Sequence, residues 1–188
     1  MGSQLAQFVD RTPKLKTLHE AHITFGDSVS VSLCPRGLDF SITCTTSDQF
    51  PVLTQFCTSS FLRALIPMIK HLYILDFSLR NFYRIADSQW LDLLGPFTAV
   101  EDLYLSRKIL PRIVPALHGI IEEGTMEVLP SLQNLFLQRE LLPDLGFGFA
   151  KEAVKKFVAT LHLSSRPIAV LHWENAGYQP IVPVHIHF

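Results

Sequence analysis

Three short stretches of this chain superpose on one another. Ile69-Lys70-His71-Leu72-Tyr73-Ile74, Val100-Glu101-Asp102-Leu103-Tyr104-Leu105 and Leu132-Gln133-Asn134-Leu135-Phe136-Leu137 share one pattern: aliphatic, two variable residues, Leu, aromatic, aliphatic. Their first residues lie 31 and 32 positions apart. Such a period constrains the fold more than any other feature, because each unit is one supersecondary element that buries its apolar face only against its neighbours. Pro67 and Pro130 both stand two places before the first aliphatic residue. A weaker copy, Leu15-Lys16-Thr17-Leu18-His19-Glu20, follows Pro13, and the 54 positions from Leu15 to Ile69 leave room for a degenerate unit.

The pattern L-x-x-L-x-L is the strand signature of leucine-rich repeats. Leu72 and Ile74, Leu103 and Leu105, and Leu135 and Leu137 are two apart, so each pair faces one side of a strand. Tyr73, Tyr104 and Phe136 then face the other side. Stacked strands lie about 4.8 Å apart, so these three rings form a ladder. His71, Asp102 and Asn134 flank it on one side, and Leu75, Ser106 and Gln138 on the other. The period exceeds the roughly 20–29 residues typical of the signature. Phe77, Lys108 and Glu140 stand where an Asn or Cys is expected. Both departures fit an irregular repeat with a full helix in each unit.

The segments between the strands carry helical stripes. Leu110, Ile113, Val114, Leu117, Ile120 and Ile121 recur at three- and four-residue spacing. Pro111 and Pro115 predict a start near Arg112 or Ile113, and Gly124 an end. Val154, Phe157, Val158 and Leu161 oppose Lys151, Glu152, Lys155 and Lys156. Trp90, Leu91, Leu93 and Leu94 mark a shorter helix stopped by Gly95-Pro96. Leu53, Phe56, Cys57 and Phe61 mark another, with Ser47 or Asp48 as cap and Pro51 in its first turn. Before residue 45 the period becomes two. Val29, Val31 and Leu33 alternate with serines, and Leu38, Phe40, Ile42 and Cys44 alternate with Asp39, Ser41 and Thr43. With His22 to Phe25 they make an antiparallel meander, and Ile168 to Leu171 reads as a last strand. The predicted fold is one α/β domain over 1–188: an irregular leucine-rich-repeat-like solenoid with a mostly parallel sheet and helices on the convex side. Its parts are a strand-rich segment 12–45, β/α repeats over 46–174 and an irregular tail 175–188.

Composition narrows the function classes. The chain is 48% apolar and 18% charged, against roughly 25% charged in ordinary domains, which excludes intrinsic disorder. A net charge of −1 argues against nucleic acid or an anionic membrane as partner. The start, Met1-Gly2-Ser3-Gln4, lacks the basic and apolar regions of a secretory signal. Arg63, Lys70 and Asp76 interrupt the apolar run from Phe61 to Phe77 short of the about 20 residues a membrane span needs. Cys34, Cys44 and Cys57 are odd in number and sit in apolar surroundings, which fits free thiols in a cytoplasmic or nuclear location.

Few residues invite chemistry. His185-Ile186-His187 puts two imidazoles on one strand face with His172 as a third partner, a metal or hydrolase set whose plain alternative is a polar tail. His19 and His22 are three apart and would not share a strand face. The adjacent pairs Glu101-Asp102 and Glu122-Glu123 point apart, as poor acid–base partners do. Lys151, Lys155, Lys156 and Arg166 form a small basic cluster on an exposed face. Gly146-Phe147-Gly148 reads as a hydrophobic turn. No nucleophile elbow, phosphate loop or zinc-helix motif is present in the sequence. The expectation is therefore a non-enzyme without cofactor or metal. Tyr73, Tyr104, Phe136, His71, Asp102 and Asn134 form its protein-binding strip, since aromatic residues rimmed by polar ones typify binding hot spots. The competing reading is that a loop or the tail covers the rings as second-layer core, in a relic that keeps no partner.

The runs FVDRTPKLKTL (Phe8–Leu18), QFCTSSF (Gln55–Phe61), WLDLLGPFTAVEDLYLS (Trp90–Ser106), PRIVPAL (Pro111–Leu117), EVLPSLQNLFLQ (Glu127–Gln138) and RPIAVLHWE (Arg166–Glu174) resemble fungal F-box-type leucine-rich-repeat-like proteins. The resemblance implies a repeat region that holds a target protein for a ubiquitin ligase. In longer members an F-box ahead of it docks a Skp-type adaptor. Only seven residues precede Phe8, so the expectation here is the repeats without adaptor docking. The shared motifs concern packing positions and carry over no catalytic or binding residue.

Overall fold

Each repeated stretch begins with a tight turn that delivers the chain into a strand. The N–H groups of Ile69, Val100 and Leu132 bond back to the carbonyls of Ile66, Phe97 and Leu129. Pro67 and Pro130 occupy the second position of two of these turns, where their fixed φ suits the bend. The structure is a computed structural model that describes residues 18–26, 28–33, 40–44, 49–59, 65–77, 85–123, 128–138, 147–163 and 166–173. Leu15 to Thr17, Cys34, Leu38, Ser47, Asp48, Phe61, Gly124, Gly146 and the tail from Asn175 lie outside the described residues.

The described strands are β1 (Glu20–Phe25), β2 (Val29–Leu33), β3 (Phe40–Cys44), β4 (His71–Asp76), β5 (Asp102–Leu105), β6 (Asn134–Gln138) and β7 (Ala169–Trp173). They form one open sheet in the order β3-β2-β1-β4-β5-β6-β7. β1, β2 and β3 pair antiparallel, as the meander predicts. β1 then pairs parallel with β4, and the parallel run continues through β5, β6 and β7. Only β2 runs against the rest.

Among the described residues four helices link the later strands: α1 (Gln49–Cys57), α2 (Asp87–Leu94), α3 (Leu110–Glu123) and α4 (Phe147–Leu163). They pack in chain order, α1 on α2, α2 on α3 and α3 on α4. All four contribute to one core with the strand residues Ala21, Ile23, Phe25, Leu72, Ile74, Leu103, Leu105, Leu135, Leu137 and Val170. The predicted aliphatic pairs thus face the helices. Trp90 of α2 reaches the strand layer edge-on at Phe25, 5.7 Å between centroids. The domain is a mixed α/β unit with helices on one face of a mostly parallel sheet.

Two predicted boundaries move. α3 starts at Leu110 rather than near Arg112, with Pro115 inside it. Pro115 removes the donor that would reach the Pro111 carbonyl, but both prolines are exposed, so water can serve that carbonyl. Phe147 and Gly148 open α4 instead of forming a turn. The weak repeat copy is also out of phase. Ala21, His22 and Ile23 align with Leu72, Tyr73 and Ile74, three residues later than the Leu15–Glu20 pattern predicts. Among the described residues, β2, β3 and the helix Gln49–Cys57 lie between β1 and β4.

One ion pair lies within the helical side. Asp76, whose side chain is fully buried, accepts from Nη1 of Arg112 at 3.0 Å. Its backbone N–H donates to Oγ of Ser106 at 2.8 Å. The guanidinium bond compensates a carboxylate that would otherwise be costly to bury, and the serine bond satisfies the backbone donor of the same residue.

Leu103 and Leu135 are completely buried in the middle of the parallel run. Leu103→Ala or Leu135→Ala is expected to lower unfolding free energy by about 2–5 kcal/mol in denaturant melts. Lys155→Ala, on the solvent side of α4, is expected to be nearly silent in the same assay.

Candidate functional site

The opposite face of the sheet is built from residues one position along from the aliphatic pairs. Register places Tyr73 beside Tyr104 and Tyr104 beside Phe136. Their rings stack nearly parallel, with centroids 4.1 Å apart for the first pair and 4.2 Å for the second. The predicted ladder therefore forms. Its spacing follows from the strands: rungs about 4.8 Å apart bring flat rings into face contact once they tilt slightly along the sheet.

The ladder has a fourth member. His22 of β1 stacks on Tyr73 at 4.4 Å and 7°, because it occupies the same register position. Trp173 of β7 lies edge-on to Tyr73 and Tyr104 at 6.1 and 5.9 Å, and its Nε1–H points at the Leu105 carbonyl, 3.5 Å away. Tyr73, Tyr104, Trp173 and Leu75 form a second apolar cluster, with Phe136 packed against it. Tyr73 is 9% exposed and Tyr104 6%. Of the two predicted roles for the rings, second-layer core describes these two tyrosines better than an open contact strip. Trp173 contributes to that cover.

Burial pushes both phenols up from their ordinary pKa. Tyr104 raises Tyr73 further, and nearby Asp102 raises Tyr104. Beyond the rings, Leu75 and Ser106 are buried, Ser106 Oγ accepts from the Asp76 backbone N–H, and Oε1 of the half-buried Gln138 accepts from the Arg107 N–H at 3.3 Å.

The other side is a polar row across four strands, Glu20, His71, Asp102 and Asn134, all in register. The backbone fixes this row tightly. The His19 carbonyl accepts from both Lys70 and His71 N–H, that of Lys70 from Glu101 and Asp102, and that of Glu101 from Gln133 and Asn134. Nδ1 of His71 bonds Oδ2 of Asp102 at 2.8 Å, and Nδ2 of Asn134 donates to Oδ1 of Asp102 at 2.7 Å. Nε2 of His22 bonds Oε1 of Glu20 at 2.5 Å. Lys70 pairs with Glu101 at 2.7 Å in the more exposed flank.

These contacts set the charges. The hydrogen bond to Asp102 raises the His71 pKa against the opposing effect of burial. Burial alone would raise Asp102, but the bonds from His71 and Asn134 outweigh it and hold the carboxyl below its usual range. The bond from His22 likewise lowers Glu20.

All six predicted site residues thus share one face, divided into two buried tyrosines with a half-buried Phe136 and a half-exposed polar row. His22, Glu20, His19 and Trp173 belong with them and were missed. His19 precedes β1, so strand alternation does not bind it, and its ring meets His71 edge-on at 5.8 Å. The signal for His22 was an imidazole between Ala21 and Ile23, the position of Tyr73 between Leu72 and Ile74.

The remaining candidates are dispersed. His172 is half-buried with Nδ1 3.4 Å from the Leu137 carbonyl, and His185 and His187 lie outside the described residues. Among the described residues no group of three or more His, Cys, Asp or Glu side chains is placed to hold a metal ion. Cys57 is a buried free thiol pushed up to about 12 by desolvation. The Nη2 of Arg166 donates to the Leu129 carbonyl at 2.7 Å. Lys155 lies 3.9 Å from Glu152 on the same helix. Among the described residues no helix is long and apolar enough to cross a membrane.

No family model, curated protein or solved structure matches the chain.

Two outcomes test this geometry. Tyr104 touches rings on both sides and Trp173 above, so Tyr104→Ala should cost about 3–5 kcal/mol of stability in denaturant melts. The second outcome is a pH profile. His71, with a raised pKa, stabilises the fold fully below its unfolded value of about 6.5 and stops doing so as pH rises through its folded value. Asp102 and Glu20, with lowered pKa values, stabilise above about pH 4 and stop doing so as pH falls through their folded values. Stability should therefore be greatest between about pH 4.5 and 6.5. His71→Gln should flatten the alkaline limb in melts across that range.

Proposed function

We propose that this chain is a non-catalytic protein-interaction module, a leucine-rich-repeat-like solenoid. On this reading it corresponds to the substrate-binding repeat region that F-box proteins contribute to ubiquitin ligases, working in the cytoplasm or nucleus without a cofactor. The reading is supported by the sequence resemblance and by consecutive β/α units stacked in one register. The single observation that carries it is the half-exposed row Glu20, His71, Asp102 and Asn134, held on a stack of four rings.

The rings and the row have different tasks. A stack that is closed beneath gives the surface rigidity, so a partner need not be held by groups that must first be ordered. The row supplies hydrogen-bonding groups whose positions are fixed by backbone bonds. In this form the contact strip is narrower than a ladder of open aromatics: the polar flank meets the partner and the tyrosines support it.

The reading is tested by quantitative affinity capture from native lysate with three forms of the chain. A genuine partner should be retained by the wild type and by Lys155→Ala, and lost with the double variant His71→Ala, Asn134→Ala. If every captured protein bound all three forms equally, the row would not be a recognition surface.

A further inference from the structure

The half-exposed end of the ring face has a defined hydrogen-bonding polarity. Ionised Asp102 only accepts, so Nδ1 of His71 carries the proton between them. Nε2 of a neutral His71 is then an acceptor. One rung toward β1, Glu20 is a carboxylate with one oxygen committed to His22. One rung toward β6, each oxygen of Asp102 takes one bond, from His71 or from Asn134, and has a lone pair left. Across three consecutive rungs the remaining valences are therefore lone pairs. Adjacent rungs are about 4.8 Å apart, which sets the two carboxylates about 10 Å apart with the imidazole midway. The side chains of Glu20 and His71 are about one-third exposed, at 32% and 33%. The nearby ammonium of Lys70 is already paired with Glu101.

A complementary ligand has donors only, a positive charge, and a width that serves more than one rung. Guanidinium meets all three requirements, with five N–H groups in a flat fork, whereas an ammonium is a compact point charge. Resting on the interaction-module reading, we propose that this row receives an arginine side chain of the partner, its guanidinium lying over His71 between Glu20 and Asp102.

The site also has a built-in acid sensitivity. Protonation of His71 turns Nε2 into a donor and places a positive charge under the guanidinium. The charged and titratable groups facing His71 are His19 and Glu20 from the β1 side and Glu101 and Asp102 from the β5 side. The carboxylates favour that protonation, so arginine binding and proton binding oppose one another.

The test is a titration of the full chain with N-acetyl-arginine amide, N-acetyl-lysine amide and N-acetyl-glutamate amide, followed by NMR at about pH 5.5 and about pH 8, on either side of the histidine range. The arginine probe should shift the Asn134 side-chain amide and the His71 ring signals at the higher pH. Its affinity should fall about two- to fivefold at the lower pH and by a similar factor in Glu20→Gln, the size of one exposed ion pair. Asp102→Asn gives a second reading should Glu20→Gln fold poorly. Lys155→Ala should change nothing. Equal response to the glutamate probe, or indifference of a folded Glu20→Gln or Asp102→Asn variant, would overturn the proposal. A captured partner that depends on the row while the arginine probe is silent sinks this inference alone. Arginine binding with every captured protein indifferent to the row sinks the interaction-module reading and leaves the site.

Discussion

Parallel strands in strict register put residues of equal repeat number next to each other, one strand spacing apart. In this chain the register is held by a recurring backbone device. A single carbonyl just before each strand accepts from two successive N–H groups of the next, from His19 through Lys70 to Glu101. Two bonds converging on one oxygen leave little freedom to slip, and a slip by one residue would exchange the two faces. The ring stack, the polar row and the aliphatic core all depend on this alignment. Stacking then reinforces it, since each near-parallel ring contact contributes about 0.5–1.5 kcal/mol beyond simple burial.

The two faces solve different packing problems. On the helical side, Leu72, Ile74, Leu103, Leu105, Leu135 and Leu137 meet helix side chains in a dry layer. On the other side no helix of the described residues joins the ring cluster. The rings instead cover one another and are capped by Trp173. Tyrosine suits such a layer because its body is apolar while its hydroxyl can still find a partner. The polar groups of the row are accordingly carried on an ordered base rather than on mobile loops.

Much of this was legible in the sequence, and the misses have physical causes. The strands β4, β5 and β6 announced themselves through a period-two pattern repeated at a fixed interval, and the register followed. α2 was legible because Gly95-Pro96 ends it, and the core face of α4 because Val154, Phe157 and Leu161 share one helical side. The fourth ring was hidden. Leucine spacing drew the weak copy to Leu15 and Leu18, while small Ala21 occupies the position of Leu72. Pattern matching rewards size, and a packed layer accepts alanine where its neighbours fill the space. Pro115 misled in the opposite sense, because a proline on an exposed helical face costs less than one whose orphaned carbonyl is buried. The cover over the rings was invisible because Trp173 sits two residues past the ring position of its own strand and acts across the sheet on Tyr73 and Tyr104.

The turn before β6 has a feature its two counterparts lack. Leu129 adopts a φ of 51° immediately ahead of Pro130, yet its side chain is 1% exposed. A branched residue in that region costs of order 1–3 kcal/mol, comparable to the about 1.5–3 kcal/mol gained by burying it. The core therefore dictates the backbone at this point rather than the reverse. The Arg166 guanidinium on the Leu129 carbonyl joins this twisted corner to the start of the next unit. The starts of β6 and β7 are thereby joined at one cocked corner, so loosening it would be felt at Asn134 and Trp173 together, a mechanical link between the outer end of the polar row and the cap over its rings.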